Sequence, residues 1–206
     1  MPLPGNVEMN SKFHKIPALE FPGLPYKVLV GTHHKAGTEW MTAVFFTIDN
    51  HYTIDLDFNY HSEFDPVVLN QSFRGAHLIR DPRDVIISGC FYHQKSDEKW
   101  LHKPRKNLDG LTYQQKINSF GSIDEKIHFE MENAAANTIH DMLSWDYSQP
   151  DFIELKYEDL IDDVQLMLFH KVFSFLGFPG SAIPHLLSIA YENSLFSGLV
   201  ESGHVR

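Results

Sequence analysis

Two short runs of this chain carry residue types that can do chemistry together. The first is Gly31-Thr32-His33-His34-Lys35-Ala36-Gly37-Thr38-Glu39-Trp40. A glycine-bearing loop that opens a helix aims several backbone N–H groups at one point, and the positive end of the helix dipole adds to them. Such a loop cradles an anion. Gly37 lets the backbone approach it, Lys35 brings a full charge and Thr38 a hydroxyl. Taken alone, the same run also reads as a surface turn with a helix cap. The second run is Arg80-Asp81-Pro82-Arg83-Asp84-Val85-Ile86-Ile87-Ser88. An arginine at a strand end matches phosphate oxygens with its fork of donors, and Ser88 stands two turns along the helix that follows. The plain alternative is an Arg80–Asp84 salt bridge beneath a sheet edge.

The elements that must position these residues are legible around them. Tyr26 to Gly31 is a short apolar, β-branched run, as a buried parallel strand requires, and a helix is expected from about Thr38 to Asp49. Ala76 to Arg80 is a second strand, followed by a helix through about His93 in which Asp81 is the N-cap and Pro82 takes the first helical position. Phe152 to Lys156 is a third strand. After Tyr157-Glu158-Asp159-Leu160 a helix is expected from about Asp163 to Leu176, with Val164, Leu168, Val172 and Phe175 on one face and Gly177 and Pro179 as its stop. Residues 94–110 read as a polar loop, and Ser122-Ile123-Asp124-Glu125 as a capping box opening a long helix toward Leu143. Strand, loop and helix recurring in this order predict an α/β fold: a single domain with a central parallel β-sheet flanked by helices. Residues 1–25 read as a proline-bearing leader and 26–206 as the domain.

Composition bounds the function classes. The 206 residues are 43% hydrophobic and 21% charged, an ordinary globular balance, with a formal net charge of −10. That balance repels polyanions, so nucleic acid is not an expected partner. Cys90 is the one cysteine, which removes any internal disulfide, favours a reducing, cytoplasmic home and reads as a small apolar filler. The longest apolar stretch, near Ala43 to Ile48, is too short to span a bilayer. No HExxH occurs among the 13 histidines, and no metal site is expected.

In Lys35-Ala36-Gly37-Thr38-Glu39-Trp40, followed by Arg80 with Ser88 and then Tyr157-Glu158-Asp159-Leu160, the chain resembles the sulfotransferases that use 3′-phosphoadenosine-5′-phosphosulfate. The lysine precedes the last glycine, the reverse of a Walker A loop, which turns the reading away from an ordinary ATPase. The resemblance covers roughly residues 26–180 and implies a P-loop NTPase-like fold. It implies that Lys35 through Thr38 hold the 5′-phosphosulfate and that Arg80 with Ser88 hold the 3′-phosphate. Trp40 would stand near the adenine, with Tyr157 at its edge. The implied reaction is in-line transfer of SO3 to a hydroxyl or amine of an acceptor, a small molecule or a carbohydrate- or lipid-like one, in a pocket built from the region after Ser88, including residues 94–110, together with the leader. Lys35 would stabilise the leaving oxygen and His61 would take the acceptor's proton, with Glu63 and Asp65 as carboxylate alternatives.

The chain also departs from that pattern. Ala36 and Glu39 replace a frequent serine and threonine, and Asn59 a lysine common in some branches. Arg206 stands where a glycine-rich segment that closes over the 3′-phosphate would begin, so that segment is expected to be absent or truncated. Two competing readings remain: a P-loop-type nucleotide-dependent phosphotransferase, and a non-catalytic nucleotide-binding protein.

Overall fold

The computed structural model describes residues 23–198. Arg206 and all but the end of the expected leader lie outside them. Four strands, β1 (Lys27–Gly31), β2 (Leu56–Asn59), β3 (Phe73–Ile79) and β4 (Phe152–Lys156), form one sheet in the order β2-β1-β3-β4. Each neighbouring pair is parallel. The predicted fold class, an α/β domain around a central parallel sheet, is the one observed.

Side chains alternate between the two faces of a strand. Val28, Val30, Ala76, Leu78 and Leu155 therefore enter one core together. Against them lies α1 (Thr38–Tyr52) with Met41, Val44, Phe45 and Ile48, the three-and-four spacing of a single helix face. Helices α8 (Met167–Phe175) and α9 (Ile183–Glu192) complete this layer with Phe169, Val172, Phe173, Leu186 and Ile189. Each of these side chains contributes roughly 1.5–3 kcal/mol by leaving water. Elsewhere Cys90, Leu101, Leu108, Tyr113, Ile117 and Phe129 form a second apolar cluster. It joins α3 (Pro82–His93), α4 (Tyr113–Ser119) and α5 (Ile123–Glu132).

The chain leaves β1 for β2 on one side and reaches β3 on the other, across the four-residue α2 (Pro66–Leu69). Connections that diverge in this way open a crevice at the carboxyl ends of the strands, the usual ligand position in an open α/β sheet. The loop from Thr32 to Gly37 leaves β1 at that edge, and Arg80 follows β3 there.

Four expectations need correction. The helix expected from Asp163 begins at Met167, because Leu166 adopts a left-handed conformation and the Asp163 carboxylate accepts the Met167 and Leu168 N–H groups at 3.0 and 2.5 Å. Val164 lies outside it and is exposed, while Tyr157–Asp162 forms a separate short helix, α7. The long helix expected from Ser122 breaks at Asn133 (φ −123°, ψ −99°) into α5 and α6 (Ala134–Ser144), although the capping box at Ser122 is present. Residues 94–110 are not a free loop. They carry tight 3-10 turns at Lys99–His102 and Lys106–Leu108, pinned by buried Leu101 and Leu108. The strand expected from Ala76, β3, starts earlier, at Phe73.

Candidate functional site

The loop after β1 is shaped by two residues with positive φ, Lys35 (62°) and Gly37 (95°). A Cβ at Gly37 would stand 2.6 Å from Cδ2 of Tyr157, so glycine is required for both conformation and space. Gly37 gives α1 no side-chain cap, which leaves first-turn N–H groups without partners inside the helix. The Thr38 hydroxyl donates to the His33 carbonyl at 2.9 Å and closes the turn. Lys35 Nζ lies 3.5 Å above the Tyr92 ring. Burial draws its pKa from 10.5 down to about 8, against the opposing pull of Glu98 and aided by the Arg80 charge.

Arg80 does not pair with Asp84. Its Nη1 donates to the Lys35 carbonyl at 2.8 Å, and its guanidinium lies 4.5 Å from the centre of the Tyr157 ring. Its Nε is buried without a hydrogen-bond partner, 4.0 Å from the Glu158 carboxylate. Asp81 instead caps α3 and binds Arg83.

These groups meet at a cavity of about 1150 Å³. Lys35, Gly37, Thr38, Glu39 and Trp40 border it from the loop and α1, and Arg80, Ser88 and Tyr157 from beyond. Ala36 is fully buried and does not border it. The Trp40 indole is 9% exposed and packs on Phe169 with ring centres 5.5 Å apart, its Nε1 buried without a partner. The rest of the lining comes from Tyr92 of α3, from Glu98, Trp100 and Arg105 of the 94–110 segment, and from Asn133 and Asn137 where α5 breaks into α6. Among the three candidate bases, His61 alone borders the cavity, as an exposed residue at its lip. The turn that carries it is organised by Asn59, whose Oδ1 accepts the His61 and Glu63 N–H groups at 2.9 and 3.1 Å. Asp65 is engaged as the cap of α2.

Behind the loop, consecutive histidines are tied into two parallel chains. His33 Nε2 meets His77 Nε2 at 2.8 Å, and His77 Nδ1 meets Glu154 at 2.6 Å. His34 Nε2 meets His93 Nε2 at 2.9 Å, and His93 Nδ1 meets Glu130 at 2.8 Å. Burial and the facing His77 push the His33 pKa down to about 3; burial and His93 push that of His34 to about 4. Among the described residues no group of three or more His, Cys, Asp or Glu is arranged to hold a metal ion, and no helix is long and apolar enough to cross a membrane.

No protein-family model and no curated protein matches the sequence. The structure, however, is similar to that of a mouse sulfotransferase, SULT7A1, complexed with PAP, with a TM-score of 0.55 at 12% sequence identity. The match covers 82% of this chain and 65% of that one, so the chain spans less than two thirds of its neighbour's length. The fold is sulfotransferase-like.

On that fold, Lys35, Gly37, Thr38, Glu39, Trp40, His61, Arg80, Ser88 and Tyr157 border one cavity, whereas Ala36 and the alternative bases Glu63 and Asp65 do not. Glu98, Trp100 and Arg105 lie in the 94–110 segment expected at the acceptor pocket but were not singled out by the sequence, and neither were Glu130 and Glu154. Gly89, inside a helix, was a signal that could have led to one of them: its missing Cβ makes room for Glu130.

Proposed function

We propose that the chain transfers a sulfuryl group from 3′-phosphoadenosine-5′-phosphosulfate to a hydroxyl or amine of an acceptor. The observation that carries this reading is the convergence of two separate anion grips on one cavity. One is the Lys35–Thr38 loop at the head of α1, and the other is Arg80 with Ser88 beyond β3. A donor bearing phosphate at both ends of its ribose needs two such grips. The residues present fit it: Arg80 has a buried Nε without a partner, and Gly37 leaves the first turn of α1 without a side-chain cap. When bound, the donor supplies the SO3 group.

In this reading Lys35, Gly37 and Thr38 hold the sulfated end, Ala36 contributing through its backbone alone. Lys35 also offsets charge on the leaving oxygen. Glu39 stays at the exposed rim. Tyr157, clamped over Arg80, and Trp40 bracket the base. His61 takes the acceptor's proton at the lip. The acceptor lies against Tyr92, Trp100 and Arg105, a mixed aromatic and polar wall suited to a small-molecule, carbohydrate- or lipid-like alcohol or amine. A soluble setting such as the cytoplasm suits this chemistry, and Arg206 is a candidate further contact to the 3′-phosphate.

The test is a panel of hydroxyl and amine acceptors incubated with sulfur-labelled donor. The expected result is a labelled product that Lys35→Ala abolishes. Label transfer from γ-labelled ATP, with none from the sulfated donor, would overturn the proposal in favour of a phosphotransferase.

A further inference from the structure

The chain His34–His93–Glu130 has no part in the transfer just described, yet it is built with care. His93 and Tyr113 are fully buried and Glu130 is 1% exposed. The Glu130 Oε2 that meets His93 Nδ1 also accepts from the Tyr113 hydroxyl at 2.9 Å. A Cβ at Gly89 would lie 2.5 Å from the other carboxylate oxygen. A mid-helix glycine costs about 1 kcal/mol relative to alanine, and here it keeps the place of the carboxylate open.

Counting donors and acceptors places the protons. A carboxylate only accepts, so His93 Nδ1 carries a hydrogen and donates it. Burial, with the Glu130 charge, pushes the Tyr113 phenol pKa far up, which keeps its hydrogen on the same carboxylate. Between His34 Nε2 and His93 Nε2 there is room for one proton. With His93 neutral, that proton belongs to His34 Nε2, and the neutral His34 ring has a bare Nδ1. This ring borders the cavity, next to Lys35. The charged and titratable groups that face it are His93 and Tyr92 from α3, Glu98 from the following segment, Lys35 from its own loop and His61 from the turn after β2. Their balance, with burial, keeps the ring neutral and accepting at neutral pH.

We propose that His34, His93 and Glu130 form a proton relay that accepts a proton from the hydroxyl or amine of a molecule held in the cavity beside Lys35. The inference rests on the transfer reading above for the source of that proton, but not for the placement of protons in the relay. In balance, the acceptor's O–H or N–H bond breaks as its oxygen or nitrogen bonds to sulfur, and the sulfur–oxygen bond to the phosphate breaks. Its electron pair stays on the departing bisphosphate. The proton joins His34 Nδ1, and the Nε2 proton passes to His93 Nε2. The charge ends as an imidazolium against the buried Glu130 carboxylate, one ring further from the Lys35 ammonium. A buried charge is tolerated when paired and hydrogen-bonded in this way. The relay thus takes the place given to His61 above as the group that first receives the acceptor's proton, and His61, exposed at the lip, exchanges protons with solvent. The twin chain, His33–His77–Glu154, does not border the cavity and stays a strap between the loop, β3 and β4.

Nitrogen-15 NMR of the histidine side chains in the full chain tests the relay directly. The expected spectrum shows His34 protonated at Nε2 and bare at Nδ1, and His93 protonated at Nδ1. On acidification, the first proton taken up by the pair appears with both His93 nitrogens protonated. Glu130→Gln lowers that midpoint by about one pH unit or more, because it removes the countercharge. A wild-type His34 with its proton on Nδ1, or an unmoved midpoint in Glu130→Gln, overturns the proposal. In turnover of labelled donor with water as acceptor, Glu130→Gln is expected to lower kcat by about 100-fold. It should leave the affinity for adenosine 3′,5′-bisphosphate within about threefold. An unchanged kcat also overturns the relay. A wild-type chain that neither binds the bisphosphate nor turns over the donor defeats the transfer reading, and with it the proton's source, while the NMR arm still decides the placement of protons.

Discussion

Gly37→Ala is the perturbation whose cost can be worked most fully from the structure. Alanine at φ 95° is strained by about 1–2 kcal/mol. Its Cβ would lie 2.6 and 2.9 Å from two carbons of the Tyr157 ring and 3.2 Å from Leu78, so the ring must leave its place. The ring then gives up its contact with the Arg80 guanidinium, worth about 0.5–2 kcal/mol. The sum is a destabilisation of about 1.5–4 kcal/mol, or a fall in Tm of roughly 3–16 °C for a chain of this size. Because the displaced ring borders the cavity, affinity for adenosine 3′,5′-bisphosphate should also fall, by tenfold or more. Gly110→Ala is the control. Gly110 has φ 82° with nothing within 4 Å of its absent Cβ, so it should lose only the strain and keep its affinity. Thermal melts and calorimetry on both variants decide the matter. If Gly37→Ala melts and binds like Gly110→Ala, the close packing of Tyr157 on the loop is wrong.

Three further outcomes follow from the same geometry. Lys35 loses its proton as pH rises through about 8, so bisphosphate affinity should weaken progressively above that pH; a flat profile from pH 7 to 9.5 would separate Lys35 from the anion. Ser88→Ala removes a hydroxyl that borders the cavity and should weaken the bisphosphate about 10- to 100-fold, the worth of a hydrogen bond to a charged group, with the melting temperature nearly unchanged; equal affinity would remove Ser88 from the site. His33, held at about 3 when folded against 6.5 when unfolded, leaves the unfolded chain binding more protons between those values. Stability should therefore fall as pH drops from 6.5, by about 2 kcal/mol for this residue at pH 5, and urea midpoints at pH 7 and 5 that coincide would show that His33 is not neutral in the fold.

Local patterns carried the site and the sheet into view at the level of sequence. The apolar run ending at Gly31, the Asp81-Pro82 helix start and the strand at Phe152 depend on near neighbours, and each stands where its residues indicate. The breaks at Asn133 and Leu166 do not. At Asn133 one residue's dihedral angles end α5 and start α6, and between α7 and α8 the stretch from Asp163 to a left-handed Leu166 delays the helix start. The 94–110 segment was expected at the pocket, but which of its side chains face the cavity was hidden for a related reason. Residues 94–110 are polar in sequence, and buried Leu101 and Leu108 are what turn Trp100 and Arg105 into a wall. The histidine chains joined residues far apart in sequence, His34 with His93 and Glu130, which no spacing rule connects.

The central claim is that this cavity holds a nucleotide phosphorylated at both ends of its ribose. Calorimetric titration of the full chain with adenosine 3′,5′-bisphosphate and, separately, with ATP and Mg²⁺ tests it most directly. The expected result is saturable binding of the bisphosphate, lost in Arg80→Ala, with weak or absent binding of ATP. Tight binding of ATP with none of the bisphosphate would contradict it.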